Sequence, residues 1–276
     1  MKGLGSYHGF PIRGCKIMEG NEKVLRWNVH YRLQHVLMFT SFIVLVLTGI
    51  PLKYAGVGVS RVFMNLWGGP EMASTVHRIA AVVMIISCVY HLAYLGWRMW
   101  KRIFSPDMIP SLKDLRDLYD NIRFYLGLAP RPPLFGRFTY WEKFDYWAVF
   151  WGIFIMVGSG LVLWFPVETV RFLPVWFLGI AKVAHSDEAL LAGLAIFIWH
   201  FYNVHLRPEI FPMNWVWITG TITRKELKEN YPLEYERLRL QEALGSHRVS
   251  KVHPPEPEAV ASAKRTGIES DPEQGI

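Results

Sequence analysis

Cysteine is scarce in this chain, since Cys15 and Cys88 are the only two among 276 residues. Two cysteines this far apart exclude a disulfide framework, a cysteine-rich zinc cluster and the Cys-x-x-Cys-His motif of covalent haem attachment. Acidic residues are also nearly absent from the long apolar runs. A metal site built on carboxylates is therefore not expected there.

Apolar and aromatic side chains are abundant. Hydrophobic residues make up 51% of the chain and 12 residues are tryptophan, which exceeds the usual share in a soluble domain. Four apolar runs are long enough to cross a hydrocarbon core of about 30 Å. They lie near residues 34–54, 76–97, 146–166 and 186–206. We predict an all-α integral membrane protein, a four-helix transmembrane bundle with short interfacial helices.

The basic residues indicate how the chain is oriented. The formal net charge is +7, but the basic residues lie between the apolar runs and form no continuous stripe, so no nucleic-acid partner is expected. Of the 30 lysines and arginines, 25 fall on one side of the predicted bundle. By the positive-inside rule that side is cytoplasmic and carries both termini.

The predicted organisation has three parts. Residues 1–32 form a cytoplasmic N-terminal arm, and residues 33–220 form the four-helix membrane domain. Residues 221–276 form a cytoplasmic C-terminal helix and a disordered tail, because the last stretch is rich in proline and charge. The chain is expected in the bacterial inner membrane, in contact with the lipid bilayer.

Histidines occur where ionisable groups are costly. Six of the ten lie inside the apolar runs or at their ends: His35, His77, His91, His185, His200 and His205. A titratable group in a membrane helix usually faces the bundle interior and has a function there. A hydrogen bond to a backbone carbonyl or a lipid headgroup would account for the presence of one such histidine. It accounts less well for six histidines at matched depths.

The spacing of four of these histidines predicts two levels. His77 and His91 are 14 residues apart, which places them within about 40° of one helix face and about 21 Å apart along the axis. His185 and His200 are 15 apart, within about 60° and about 22 Å. His77 then faces His185 at the outer level, and His91 faces His200 at the inner level. Two histidines facing each other at one depth are typical axial ligands of a b-type haem.

The alternative to haem at these histidines is a bound metal ion. His200 and His205 could join His35 or His91 around a metal, as in a histidine-lined metal transporter, but such a site is unusual without carboxylates or cysteines. Transport also predicts binding groups near the middle of the bilayer. The histidines instead lie near the ends of the spans, which favours two haems.

Several local motifs resemble a known family. They are "RWNVHYRLQH" at the first helix, "HRIAA" at the second, "FGRFTYWEKFDYW" before the third, "WHFYNVH" at the end of the fourth and "GTITRKELKENYPLEYERL" beyond it. Together they resemble the b-type cytochrome membrane (gamma) subunits of respiratory formate dehydrogenases and nickel-iron hydrogenases. The similarity covers most of residues 26–240.

The resemblance implies a set of haem ligands. The outer haem b would be held by His77 and His185, and the inner haem b by His35 and His200. The helix spacing proposes His91 in place of His35, which is similar to the pairing in bc-type cytochrome b, a quinol oxidoreductase subunit. Both readings stay open at this point. His91 and His205 also leave room for a third haem.

The resemblance further implies partners at both ends. A quinone, menaquinone or ubiquinone, would bind near the inner haem against residues 137–143, with Arg137, Thr139 and Glu142 as candidate contacts and Glu142 or His91 as proton carrier. Thr139 and Glu142 stand where that family has amide side chains. An iron-sulfur or multihaem cytochrome subunit would dock at the outer face, where residues 167–185 could form a surface helix. The chain would then be the quinone-reactive electron-transfer subunit of an oxidoreductase complex.

Overall fold

The computed structural model describes residues 22–208 and 210–252, and the chain there is mostly helical. A 3₁₀ turn at Pro106–Met108 precedes α4, and two π-helical segments, Ala195–His200 and Tyr202–Leu206, continue α7. The strands and α-helices are, in order, β1 (Lys23–Leu25), α1 (Val29–Lys53), α2 (Gly58–Leu66), α3 (Pro70–Trp100), α4 (Leu112–Tyr125), α5 (Tyr140–Trp164), α6 (Pro166–Phe172), α7 (Trp176–Leu194), α8 (Val216–Thr219), β2 (Thr221–Thr223), α9 (Arg224–Asn230) and α10 (Pro232–Val252).

Four helices are long and apolar enough to span a membrane: α1, α3, α5 and the fourth span, which is α7 with its π-helical continuation to Leu206. The prediction of an all-α four-helix membrane bundle is confirmed. Each helix begins earlier than its predicted apolar run, and in α1 and α5 polar residues form the first turn. Asn28 caps α1 by accepting a hydrogen bond from the backbone N–H of Tyr31, and Thr139 and Glu142 form a capping box on α5.

Burial in the spans is the reverse of that in a soluble helical protein. Thr48 and Ala73 have no exposed surface, and Ser87 is buried. Large apolar side chains such as Trp151 and Ile86 point outward and are exposed. Small and polar residues between the helices, with bulky apolar residues around them, are typical of a bundle surrounded by lipid.

The spans pack as two antiparallel pairs. α1 packs along α3, α5 packs along α7, and α1 also contacts α7. We call the side at which α1 begins the terminal side, because the described chain both starts and ends there. The other side is called the opposite side. α3 and α7 both begin on the opposite side and run toward the terminal side.

A small sheet covers the terminal side of the bundle. β1 pairs antiparallel with β2, with Val24 opposite Ile222, and the buried side chains of Ile222, Leu227, Tyr231 and Tyr235 form a core behind it. Gly220 ends α8 at φ +76°, and its carbonyl accepts hydrogen bonds from the backbone N–H groups of Arg26 and Trp27. The segment before the first span is therefore joined to the segment after the fourth.

Two sequence predictions are corrected here. Residues 221–252 form a strand and two helices rather than one helix, because Pro232 begins a new helix after Asn230. The stretch 167–185 is not one surface helix, since α6 ends at Phe172 and Trp176 already begins the fourth span. The predicted disorder of the C-terminal tail falls on residues after 252, which lie outside the described residues.

Candidate haem sites

His77 and His185 face each other near the opposite side of the bundle. His77 lies on α3 and His185 on α7, and their ring centroids are 6.3 Å apart with the rings at 71°. Two imidazoles that ligate one metal ion from opposite sides also have centroids about 6 Å apart, because each metal–nitrogen bond is about 2 Å long. The spacing of this pair therefore fits axial ligation of a haem iron.

Two hydroxyl groups set the orientation of these rings. Thr48 Oγ1 lies 2.9 Å from Nδ1 of His77, and Ser159 Oγ lies 3.1 Å from Nδ1 of His185. Each hydroxyl donates its own hydrogen to a carbonyl one turn back in its helix, that of Val44 or of Ile155. Each hydroxyl therefore accepts the Nδ1–H, which leaves the Nε2 lone pair of both histidines available to a metal.

A glycine follows each hydroxyl residue and lies against the same ring. A Cβ at Gly49 would lie 3.0 Å from Cε1 of His77, and a Cβ at Gly160 would lie 3.1 Å from Cε1 of His185. Such contacts are tighter than ordinary van der Waals packing. The Thr-Gly pair on α1 and the Ser-Gly pair on α5 thus hold the two histidines in equivalent ways.

His35 lies near the terminal side, on the first turns of α1. Its ring packs against Trp27 at 5.6 Å and Trp217 at 5.7 Å between centroids. Its Nδ1 is buried and has no hydrogen-bond partner within the described residues. His200 and His205 lie within electrostatic range of His35 at this end of the bundle.

A carboxylate accompanies His200. Asp145 on α5 places Oδ2 3.1 Å from Nδ1 of His200. The carboxylate accepts the Nδ1–H, which again leaves the Nε2 lone pair available to a metal. Asp145 was missed by the sequence reasoning because the third apolar run was taken to start at residue 146, whereas α5 begins at Tyr140.

The fourth span changes from an α-helix to a π-helix where it reaches the terminal side. The π segments Ala195–His200 and Tyr202–Leu206 contain both histidines at this end. In an α-helix, a residue five positions further along points about 140° away from the first residue. In a π-helix of about 4.4 residues per turn, the same residue points within roughly 50° of the first. His200 and His205 therefore lie on one side of the span.

His91 and His205 differ from the other histidines of the spans in that neither has a ring nitrogen with a free lone pair. His91 Nδ1 lies 2.9 Å from Oε1 of Gln34 and its Nε2 lies 3.0 Å from the hydroxyl of Tyr146, so His91 links α1, α3 and α5. His205 accepts a hydrogen bond at Nδ1 from the backbone N–H of Asn214, which places the proton on Nε2. Neither ring presents a free lone pair in this arrangement.

Buried nitrogens without partners are concentrated on the terminal side. Within the described residues, all six buried side-chain nitrogen or oxygen atoms that lack a hydrogen bond lie at this end of the bundle: Arg32 Nε, Gln34 Nε2, His35 Nδ1, Arg98 Nε, Arg207 Nε and Trp217 Nε1. Buried polar groups are normally paired. Most of these atoms are donors, so this end fits a ligand with acceptor oxygens. Throughout residues 22–208 and 210–252, no group of three or more His, Cys, Asp or Glu side chains is placed to hold a metal ion.

Comparison with known proteins identifies the family. The family described as prokaryotic cytochrome b561 matches residues 26–213, which is 188 of the 276 residues. The chain belongs to the prokaryotic cytochrome b561 family. The resemblance inferred from the sequence motifs is confirmed, and the chain is a multi-pass bacterial membrane cytochrome that transfers electrons through b-type haem.

Two relatives of this cytochrome are cytochrome b556 subunits of formate dehydrogenases from Escherichia coli (strain K12). The cytochrome b556(fdo) subunit is 22% identical over 224 residues, covering 80% of this chain and 96% of the relative. The cytochrome b556(Fdn) subunit of the nitrate-inducible enzyme is 20% identical over 233 residues, covering 82% and 96%. The similarity therefore extends over nearly the full length of both relatives.

The three candidate quinone contacts of the cytochrome are already bonded within the protein: Thr139 and Glu142 to each other, and Arg137 to the C-terminal segment. Oε2 of Glu142 accepts hydrogen bonds from the backbone N–H and the hydroxyl of Thr139 at 2.7 and 3.0 Å. Arg137 pairs with Glu234 at 3.2 Å. A quinone carbonyl that bonded to the Thr139 hydroxyl would have to replace Glu142, whereas the Arg137 guanidinium retains further N–H donors.

Tyr231 extends this network. Its hydroxyl donates a hydrogen bond of 2.8 Å to Oε1 of Glu142, and the guanidinium of Arg26 lies 3.8 Å from the centre of its ring. Burial raises the pKa of the Tyr231 hydroxyl, and the neighbouring Glu142 carboxylate raises this pKa further. The hydroxyl therefore remains protonated and continues to donate at physiological pH.

The variant Tyr231→Phe is expected to loosen the C-terminal segment of the cytochrome. It removes a hydrogen bond to a charged acceptor, which is worth about 1.5–3 kcal/mol. Hydrogen exchange of residues 222–244 should become faster in this variant. The control is Tyr235→Phe in the same core, because the Tyr235 hydroxyl makes no hydrogen bond within the described residues, and equal exchange rates in both variants would contradict this role.

Proposed function

We propose that the chain is the membrane electron-transfer subunit of a respiratory oxidoreductase complex, carrying electrons between a partner subunit on the opposite side and quinone on the terminal side. The observation that carries the proposal is the His77–His185 pair, whose facing rings keep their Nε2 lone pairs available. A bound haem b at each level supplies reversible one-electron chemistry at its iron.

His77 and His185 are proposed to hold one haem, and His35 and His200 the other. His35 is favoured over His91 because its Nδ1 is unpartnered, whereas both nitrogens of His91 are bonded to protein groups. The same reasoning leaves His205 without a ligand role and disfavours a third haem. The two levels are separated by about 20 Å along the helices, so together they reach across most of the bilayer.

The hydroxyls of Thr48 and Ser159 are proposed to tune the midpoint potential of the haem held by His77 and His185. A hydrogen bond accepted from Nδ1–H raises the basicity of a ligating imidazole and stabilises the oxidised iron. We expect Thr48→Val, which keeps the side-chain shape, to raise the midpoint potential of one haem by about 40 mV, the equivalent of about 1 kcal/mol for one electron.

Potentiometric titration of the purified protein measures this shift. The matched control is Thr40→Val on the same helix, because the Thr40 hydroxyl is exposed and bonds only to carbonyls of α1. The haem content should stay at the wild-type level in both variants. An unchanged potential in Thr48→Val, or an equal shift in Thr40→Val, would refute the assignment.

Quinone is proposed to bind on the terminal side, near His35 and His200 and bordered by Arg137, Thr139 and Glu142. The unpartnered donors at this end support the proposal, since a quinone offers two carbonyl acceptors. Menaquinone and ubiquinone both fit this description. His91 and Glu142 are the proposed proton carriers, and His91 is already part of a chain of hydrogen bonds from Gln34 to Tyr146.

The orientation of the chain is proposed from its charge. The terminal side carries most of the basic residues and is assigned to the cytoplasm, with both termini there and residues 33–220 as the membrane domain. Electron transfer between an outer partner and quinone at the cytoplasmic side would move charge across the bacterial inner membrane.

The partner on the opposite side is proposed to be an iron-sulfur or multihaem cytochrome subunit. The two relatives named above are subunits of formate dehydrogenases, so this chain is proposed to work with other subunits. The short helices α2 and α6 on this side expose apolar residues, including Val59, Val62, Leu66, Val167 and Phe172. They offer a surface for such a subunit.

Quinol reduction of the haems tests the proposed function. Anaerobic addition of menaquinol and ubiquinol analogues to the full chain in liposomes should reduce the b-type haem, which is read from its visible absorption. The variant His200→Ala should lose this reaction although the outer haem remains bound. Failure of both quinols to reduce the haem, together with failure of both quinones to oxidise it, would overturn the proposal.

A further inference from the structure

Helix α4 is amphipathic, but its polar face packs against the protein and its apolar face is exposed. Its buried residues are polar, namely Asp117 and Asn121. Asn121 donates a hydrogen bond of 3.0 Å to the hydroxyl of Tyr140, and Asp114 pairs with Lys143 at 3.0 Å. The exposed residues are largely apolar: Leu112, Leu115, Leu118, Tyr119, Ile122 and Tyr125.

The exposed apolar residues form one continuous face. At about 100° per residue, the arc from Tyr125 through Leu118 and Leu115 to Leu112 covers roughly 140° of the helix circumference. Leu126, just after the helix, extends it and is also exposed. Contiguous apolar surface of this kind marks a site of interaction with a protein or a membrane.

The contacts of α4 place it at the membrane surface. Trp147 on α5 donates a hydrogen bond of 3.1 Å to the carbonyl of Met108, just before α4, so this segment reaches the level at which the apolar part of α5 begins. Further along, Lys143 and Tyr140 in the first turn of α5 contact Asp114 and Asn121. Tryptophan and tyrosine concentrate at this level of a bilayer.

The same contacts give the direction of α4. Asp114 and Asn121 are about 10 Å apart along α4, but their partners Lys143 and Tyr140 are only about 4.5 Å apart along α5. Two helices running side by side would have equal separations, so α4 crosses α5 at a steep angle. Because α5 spans the bilayer, a helix that crosses α5 steeply lies nearer the membrane plane than the membrane normal.

We propose that α4 is an in-plane membrane helix whose apolar face lies among the lipid acyl chains of the terminal-side leaflet. Arg116 and Arg123 border the apolar face, and both side chains are exposed, so their guanidinium groups can reach lipid phosphates. Phe144, which follows Lys143 on α5, is also an exposed apolar residue. This proposal does not depend on haem or quinone binding.

Spin labels on α4 test the proposal. In a background of Cys15→Ser and Cys88→Ser, the variants Leu115→Cys and Asp120→Cys carry a nitroxide on the apolar and the charged face of the full chain, reconstituted with its complex in liposomes. The Leu115→Cys label should collide with oxygen at least about threefold more readily than with a water-soluble nickel chelate. The matched Asp120→Cys label should show the opposite preference.

Two results would overturn the proposal. Preferential collision of the Leu115→Cys label with the nickel chelate would place the apolar face in water. Low collision rates with both reagents would show that a partner subunit or a second copy of the chain covers it. A photoreactive residue introduced at Ile122 gives an independent reading, since adducts with lipid support the proposal and adducts with protein contradict it.

Discussion

Replacing His77 with alanine is expected to remove one of the two proposed haems and to lower the haem content per chain by half. The imidazole of His77 is one of the two facing rings proposed as ligands at this level, and a b-type haem has no covalent link to hold it when one ligand is lost. Electron exchange with the proposed opposite-side partner should fall by at least about 100-fold, because the removed haem would be the first carrier on that side. The pyridine haemochrome assay on purified protein measures the haem content.

The control for His77→Ala is His30→Ala. His30 is exposed on the first turn of α1, and its Nδ1 lies 2.7 Å from the hydroxyl of Tyr90, so it is a bonded histidine outside the proposed sites. Its loss should leave the haem content unchanged. A full haem complement in His77→Ala, at normal expression and folding, would show that His77 is not an axial ligand.

The second large effect separates His35 from His91. We expect His35→Ala to abolish the terminal-side haem and to leave the His77–His185 haem in place. His91→Ala should retain both haems, because both nitrogens of His91 are bonded to Gln34 and Tyr146 and neither is presented to a metal. Haem content and the visible spectrum of the remaining haem distinguish the two variants.

The reverse result has a definite meaning. Loss of the terminal-side haem in His91→Ala, with retention in His35→Ala, would establish the bc-type pairing of His91 with His200. It would also require the bonds from Gln34 and Tyr146 to rearrange when haem binds. Gln34→Ala is a useful companion variant, because it removes one of these bonds without changing either histidine.

The spans and the facing of His77 and His185 were predictable because both depend on simple periodicities. An apolar run of about 20 residues must cross the membrane as a helix, and the spacing along α3 and the fourth span places His77 beside His185. The separation observed between these two rings, 6.3 Å between centroids, agrees with that reasoning. The sequence alone could not choose between His35 and His91, because the choice depends on what bonds to each ring.

The features that escaped prediction depend on contacts between distant residues. The shift to a π-helix at Ala195 moves His205 to the side of His200, and no residue pattern marks it. Asp145 lies on α5 just before the predicted apolar run. Its pairing with His200 appears only when α5 and the fourth span are packed together. The quinone candidates Thr139 and Glu142 lie in a segment that resembles the family but replace its amide side chains, and the sequence did not reveal that they also cap α5.

The number of haems per chain tests the account most directly. Quantitative pyridine haemochrome analysis, referred to protein concentration by amino-acid analysis, should give two b-type haems for each purified chain. Potentiometric titration of the same sample should resolve two components with different midpoint potentials, because Thr48 and Ser159 surround one site and Asp145 the other. A single haem per chain, or none, would contradict the proposed electron path between His77 and His200.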